Sequence, residues 1–133
     1  MNIKIYIVGD KIEKTFLEGI KEYEKRLSRY CKIKLQYFKN EEQLLKKLTD
    51  KTYKILVSVK GITVTSEELA EKINQLGITG KSDVTIIIGD DNIPHDALLA
   101  ISPMEMDLGI KTLIMFEQIY RSYRIVNNEP YHK

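Results

Sequence analysis

The segment Asp83-Val-Thr-Ile-Ile-Ile-Gly89 constrains this chain more than any other. A β-branched run of this kind, stopped by glycine and far too short to cross a membrane, reads as a strand covered on both faces. Such a strand needs neighbours on each side and a packed layer above and below it. The rest of the sequence supplies them, because strand-like and helix-like periods alternate along its whole length. That alternation predicts an α/β fold with a mostly parallel sheet and helices on both faces. In open sheets of this class, ligands bind outside the carboxyl ends of the strands. Here those ends are Val57 to Gly61 and Gly89 to His95.

Residues 2–8 alternate as a first strand, broken by Gly9 and Asp10. A helix is expected over about Lys14 to Tyr30, with Phe16, Leu17, Ile20, Tyr23 and Leu27 as its apolar stripe. Residues 32–38 alternate again, and Glu41 to Leu48 forms a short charged helix. Tyr53 to Val59 reads as a strand ended by Gly61, and Thr65-Ser-Glu-Glu68 supplies a capping signal for a helix over Glu67 to Leu76. A short segment around Ala97 to Ile101 precedes the terminal helix. On that helix Ile114, Phe116, Ile119, Tyr120, Tyr123 and Ile125 mark an apolar face, which leaves Arg121 and Arg124 turned to solvent. Asn127-Asn128 stops the helix and Pro130 cannot continue it, so Tyr131, His132 and Lys133 leave as a short extended tail. With neither linker nor repeat, residues 1–133 are expected to form a single domain.

Charge narrows the function classes little. The 21 basic and 19 acidic residues give a formal net charge of +2, which does not by itself point to nucleic acid. Cys31 is the sole cysteine, so no intramolecular disulfide is possible, and buried filler is its expected role. The N-terminus alternates like a strand and lacks the plan of a signal peptide, so a cytoplasmic location and no membrane association are the expectations.

Several residues invite chemistry, each beside a plainer role. Gly89 lets a ligand approach bare backbone, or it simply makes a tight turn. Asp90 and Asp91 suit ribose hydroxyls, a divalent ion, or an exposed turn. His95 has no second ligand at metal spacing, and no metal site is expected. His132 titrates near neutral pH, or it bonds to the main chain. Arg121 and Arg124, with nearby tyrosines, suit phosphates and unpaired bases, or they are a solvated helix face.

Taken together, Glu117-Gln-Ile-Tyr-Arg121, Ile125 and Glu129-Pro-Tyr-His-Lys133 resemble the C-terminal signature of the RlmH family of SPOUT-class ribosomal RNA methyltransferases. The resemblance extends through the first strand to Gly9, Glu22-Tyr-Glu-Lys-Arg-Leu27, Val59-Lys-Gly61 with Ser66-Glu-Glu68, and Gly80-Lys-Ser-Asp83 before Ile88-Gly89. It implies a trefoil-knotted fold and an S-adenosyl-L-methionine-dependent enzyme that methylates N3 of a pseudouridine in large-subunit ribosomal RNA. It also implies a homodimer acting on the assembled ribosome, without metal.

Carried over residue by residue, the resemblance places the cofactor on Val57, Gly89 and the segment Ile101, Ser102, Pro103, Met104, Glu105 and Met106. It matches Tyr131 and His132 to the family's substrate-end tail and Arg121 to its terminal-helix arginine, so catalysis falls to His132 and Arg121, with Glu105 the alternative for proton handling, and substrate binding to Tyr131 and, by its own charge, Arg124. Asp90 stands where the family has a second glycine, Asp107-Leu108 where it has a Pro-His pair, and Thr112 where it has an arginine. The span from Gly89 to Ile101 is also shortened. These departures keep open a catalytically degenerate relative that binds ribosomes. A third reading is a metal-dependent phosphoryl-transfer enzyme using Asp83, Asp90, Asp91 and Asp96.

Overall fold

The computed structural model describes residues 1–131, so the expectations for His132 and Lys133 lie outside the described residues. Five strands, β1 (Asn2–Val8), β2 (Lys32–Phe38), β3 (Tyr53–Thr63), β4 (Asp83–Ile88) and β5 (Ala97–Ala100), form one sheet in the order β2-β1-β4-β3-β5. Every pairing is parallel. The apolar run of β4 occupies the middle, where Val84 to Ile88 are all buried, as continuous hydrophobicity requires of a strand covered on both faces.

Four helices cover the sheet unequally: α1 (Lys14–Leu27), α2 (Glu41–Lys47), α3 (Ser66–Ile78) and α4 (Leu108–Val126). Alternation along each strand sends Ile3, Ile5, Ile7, Ile55, Val57, Ile86 and Ile88 to one face. There they meet Ile20 and Leu27 of α1, Leu69, Ile73 and Leu76 of α3, and Met115, Phe116 and Ile119 of α4. The opposite face is smaller: Tyr6, Leu56 and Ile87 pack under Leu44 of α2, with Phe38 and Ile93. Helix α4 lies between α1 and α3 and touches both.

Local chemistry accounts for the element ends. Thr65 Oγ1 accepts from the Glu68 amide at 3.1 Å while Glu68 Oε1 accepts from the Thr65 amide at 2.8 Å, the reciprocal cap expected of that sequence. Asn128 has φ 53°, the left-handed conformation that ends α4. Helix α1 stops at Leu27, earlier than its apolar period suggested, because the Tyr30 and Cys31 amides both turn back to the Leu27 carbonyl. Cys31 is buried, and desolvation pushes its thiol above the usual range.

Strand β3 departs most from expectation. Gly61 does not end it; the strand runs on to Thr63, with a register break in which Val57 and Ile62 both face Leu99 of β5. A Cβ at Gly61 would lie 2.6 Å from the Leu99 carbonyl carbon and 2.7 Å from its nitrogen. Glycine is therefore what lets the two backbones cross so closely.

Candidate active site

The sheet order brings the expected cofactor residues to one edge. Val57 and Ile88 are the last pair between β3 and β4, so the middle of β3 and Gly89 stand side by side at the carboxyl end of β4. Val57 is 3% exposed with its side chain in the core, which leaves only its backbone to meet a ligand. Gly89 is half-buried beside Val8 and Ile93. Residues 101–107 leave the edge strand β5 and end at Leu108, which packs over Gly9 at the end of β1. In the order β1-β4-β3-β5 this connection must pass the ends of β3 and β4. The span is about 14 Å at ordinary strand spacing, and seven residues reach about 23 Å.

Charged side chains border this edge. Lys60 Nζ lies 3.2 Å from Asp91 Oδ2, joining the β3 extension to the turn after β4, and Lys111 Nζ lies 3.3 Å from Glu105 Oε1, joining α4 to the crossing segment. A hydrogen bond from Ser58, then the Lys60 ammonium, holds the Asp91 carboxyl below its usual range. Met104 is 75% exposed at the crest of the crossing segment. Where that segment begins, at Ile101, a cleft of about 300 Å³ is lined by Thr65 and Ser66 of the α3 cap, by Ala100 and Ile101, and by Ile114, Met115 and Gln118 of α4. Bare backbone at Gly89 and Val57, an apolar cleft and a segment rich in main-chain amides suit a cofactor with an adenine ring and an amino-acid tail.

Arg121, Arg124 and Tyr131 form a second group, along α4 on its α1 side. They are not turned freely to solvent. The Arg121 guanidinium meets Glu117 Oε2 at 2.9 Å and stacks 4.7 Å from the Tyr131 ring centroid. Tyr131 Oη donates to Glu117 Oε2 at 2.9 Å, its ring packs edge-on against Tyr120, and Tyr23 Oη lies 3.3 Å away. The Arg124 side chain is 16% exposed and bonded to Tyr30, Glu129 and Pro130. The solvent-facing expectation failed because the end of α1 and the returning tail cover this side of α4. A helical period cannot register either of them.

Among the described residues, Tyr131 and the cleft lie on different sides of α4, yet a hydrogen-bonded path runs between them across that helix. Tyr131 bonds to Glu117, Gln118 Nε2 donates to Glu117 Oε1 at 2.7 Å, and Ser66 Oγ, on the cleft wall, donates to Gln118 Oε1 at 2.6 Å. The sequence reading did not single out Glu117 or Gln118 as a bridge. Their adjacency beside the tail was its only signal. Burial of Tyr131 and its bonds to Tyr23 and Glu117 raise its pKa above the ordinary tyrosine value.

The remaining candidates resolve structurally. Asp83 pairs with Lys4 at 3.1 Å at the start of β4, and Asp96 accepts from the Lys54 amide near the start of β3, whereas Asp90 and Asp91 follow the far end of β4. A strand of this length holds the two pairs about 20 Å apart, so the four carboxylates cannot share a phosphoryl-transfer metal. Asp107 caps α4 by accepting from the Gly109 amide at 2.9 Å. Thr112 is fully buried with its hydroxyl on the Leu108 carbonyl at 2.7 Å. His95 Nδ1 lies 2.8 Å from the Ile93 carbonyl and helps shape the turn.

Comparison with known proteins agrees with this geometry. The family model described as "Predicted SPOUT methyltransferase" matches residues 1–132. "Ribosomal RNA large subunit methyltransferase H 1" of Thermoanaerobacter sp. (strain X514) is 52% identical over 133 residues, covering all of both chains. Proteins named "Ribosomal RNA large subunit methyltransferase H" from Shouchella clausii and Acetivibrio thermocellus are 40% and 37% identical over 159 residues, again covering all of both chains. Those alignments are longer than this chain, so these relatives carry insertions it lacks, whereas the Thermoanaerobacter protein shares its short form. With near-complete coverage by the family model and full-length relatives at these identities, the chain belongs to the SPOUT methyltransferase family.

Proposed function

We propose that this chain methylates large-subunit ribosomal RNA, with S-adenosyl-L-methionine as methyl donor and N3 of a pseudouridine as acceptor, working as a cytoplasmic homodimer on the assembled ribosome. The observation that carries the reading is the connection of residues 101–107 from the edge strand β5 to Leu108 over Gly9, which in this sheet order has to pass the end of β4 at Gly89. In this reading the connection and the Gly89 turn supply the backbone-lined cup that a SPOUT methyltransferase needs. The reading treats residues 1–133 as one catalytic domain. It includes the family's trefoil knot.

The cofactor supplies an electrophilic methyl group when bound. Main-chain groups of Val57 and Gly89, with Ile101, Ser102, Pro103, Met104, Glu105 and Met106, hold it by amides and apolar contact. The chain's other task is to hold the base in line and favour loss of its N3 proton. His132 is assigned that proton or the orientation of the base, and Tyr131 and Arg121 the positioning of substrate. Because Tyr131 and the cleft lie on different sides of α4, the homodimer fits this division of labour: the tail of one copy serves the cup of the other. The 133-residue Thermoanaerobacter relative, matched over its whole length and named a methyltransferase, weighs against reading the short span after Gly89 as a sign of lost activity.

Incubating the protein with ribosomes and a labelled methyl donor tests the reading. Label is expected in large-subunit ribosomal RNA. Tight cofactor binding by calorimetry with no transfer to ribosomes would refute the assigned substrate, and no cofactor binding would refute the cup.

A further inference from the structure

Arg124 looks like an RNA-binding residue in the sequence, but the structure uses it differently. Its guanidinium is turned inward at the end of α4. Nη1 donates to Tyr30 Oη at 3.1 Å and to Glu129 Oε2 at 3.0 Å, and Nη2 donates to the Pro130 carbonyl at 2.7 Å. Tyr30 Oη donates to Glu129 Oε1 at 2.6 Å, so one carboxylate is gripped by a phenol and a guanidinium together. Arg29 approaches the same carboxylate at 3.6 Å, and the Glu129 amide donates to the Arg124 carbonyl at 2.8 Å. Tyr30 in turn stacks on Tyr123, with centroids 5.4 Å apart and planes within 10°.

Both terminal arms of the guanidinium are thus committed to the protein, and Nε, which has no hydrogen-bond partner among the described residues, is buried where a phosphate in solvent does not reach it. What the guanidinium holds is the chain leaving α4. Glu129 and Pro130 are fixed just before Tyr131, whose hydroxyl then falls on Glu117. We propose that Arg124, with Tyr30 and Glu129, is a positioning clamp that sets the direction of the C-terminal tail, and that it is not a contact to RNA phosphate. The proposal rests on the methyltransferase reading only in assigning the tail to substrate.

The test compares Arg124→Met, Arg124→Lys and Tyr30→Phe with the parent protein. A phosphate contact and a clamp differ in their salt dependence, because losing one phosphate contact lowers the slope of log affinity against log salt by about one. The clamp predicts that Arg124→Met leaves the slope for ribosome binding and the affinity for S-adenosyl-L-methionine unchanged, while kcat falls about tenfold. It also predicts about tenfold faster amide hydrogen exchange at Glu129 and Tyr131. Arg124→Lys keeps the charge but not the fork, so exchange stays fast. Tyr30→Phe removes one hydroxyl, gives a smaller change in the same direction, and adds nothing to Arg124→Met in the double variant. Should Arg124→Met not fold, Tyr30→Phe carries the same comparison.

A slope reduced by about one with unchanged tail exchange would overturn the clamp. So would parent-protein exchange at Glu129 and Tyr131 as fast as in the variants. Exchange needs no turnover, so a parent protein inactive on ribosomes would count against the proposed function alone and leave the clamp to be judged by its own readout.

Discussion

The carboxyl edge of the sheet and the α1 side of helix α4 are both assigned to function, yet they are built in opposite ways. At the edge the decisive feature is the missing side chain. Gly61 lets β3 cross the Leu99 backbone, and Gly89 leaves the end of β4 open beside Ile93. Along α4 the decisive features are large side chains: Tyr23, Tyr30, Tyr120, Tyr123 and Tyr131 pack ring against ring, with Arg121 and Arg124 tying them to Glu117 and Glu129. An edge made of backbone contacts has no rotamer with which to absorb added bulk. A surface made of many side-chain contacts loses function by degrees.

The largest expected effect breaks the first region. Gly61→Ala puts a methyl within 2.6 to 2.8 Å of the Leu98 and Leu99 main chain, where nothing can rotate away. A loss of about 3 kcal/mol or more is expected in denaturant unfolding, at the upper end for overpacking. An unchanged midpoint would show that the strands do not cross so closely.

Gly89→Val is milder for the fold, because the nearest atom to an added Cβ is the tip of Ile93 at 3.2 Å, a flexible neighbour. It is expected to keep the melting temperature within a few degrees while weakening cofactor binding about tenfold or more, roughly 1.4 kcal/mol by calorimetry. Equal affinity in the two proteins would move the cup away from Gly89.

The tyrosine side should reveal itself by pH. Burial, followed by the nearby Cys31, raises the Tyr123 pKa above 10, and burial with the bonds to Tyr23 and Glu117 raises that of Tyr131. In the unfolded chain both ionise near 10, so above that pH the folded state binds more protons and stability falls as pH rises. The stabilisation is complete below about pH 10. Urea midpoints should decline above it, and Tyr123→Phe should flatten the decline; an equally steep decline in that variant would exclude Tyr123 as its source.

Smallest of all is Lys60→Ala. Its ion pair with Asp91 is mostly solvent-exposed, so the urea midpoint is expected to stay that of the parent protein. A lowered midpoint would mean that side chains, and not backbone alone, hold the carboxyl edge together.

Much of the architecture was readable from local pattern. The run Val84 to Ile88 announced the central strand, Thr65 and Glu68 announced a capped helix, and Asn127-Asn128 announced its counterpart's end. In each case the physics is contained within a few residues. Gly61 was misread because a glycine after a β-branched strand has two meanings, a stop or a place where another backbone passes, and only the position of Leu99 separates them. Arg121 and Arg124 were misread for a similar reason. Their helical phase was right, but phase reports the side of one helix and not what later covers it.

The sequence by itself determined the alternating elements, the strand destined for the middle of the sheet and the membership of a methyltransferase family, because periodicity, capping and motif order are local or additive along a chain. Tertiary structure alone decided that β3 continues past Gly61, that residues 101–107 run along the ends of β3 and β4, and that Arg124 grips the tail. Each of these depends on which distant segments share space, a matter of sheet order and helix packing that contacts nearby in sequence cannot specify.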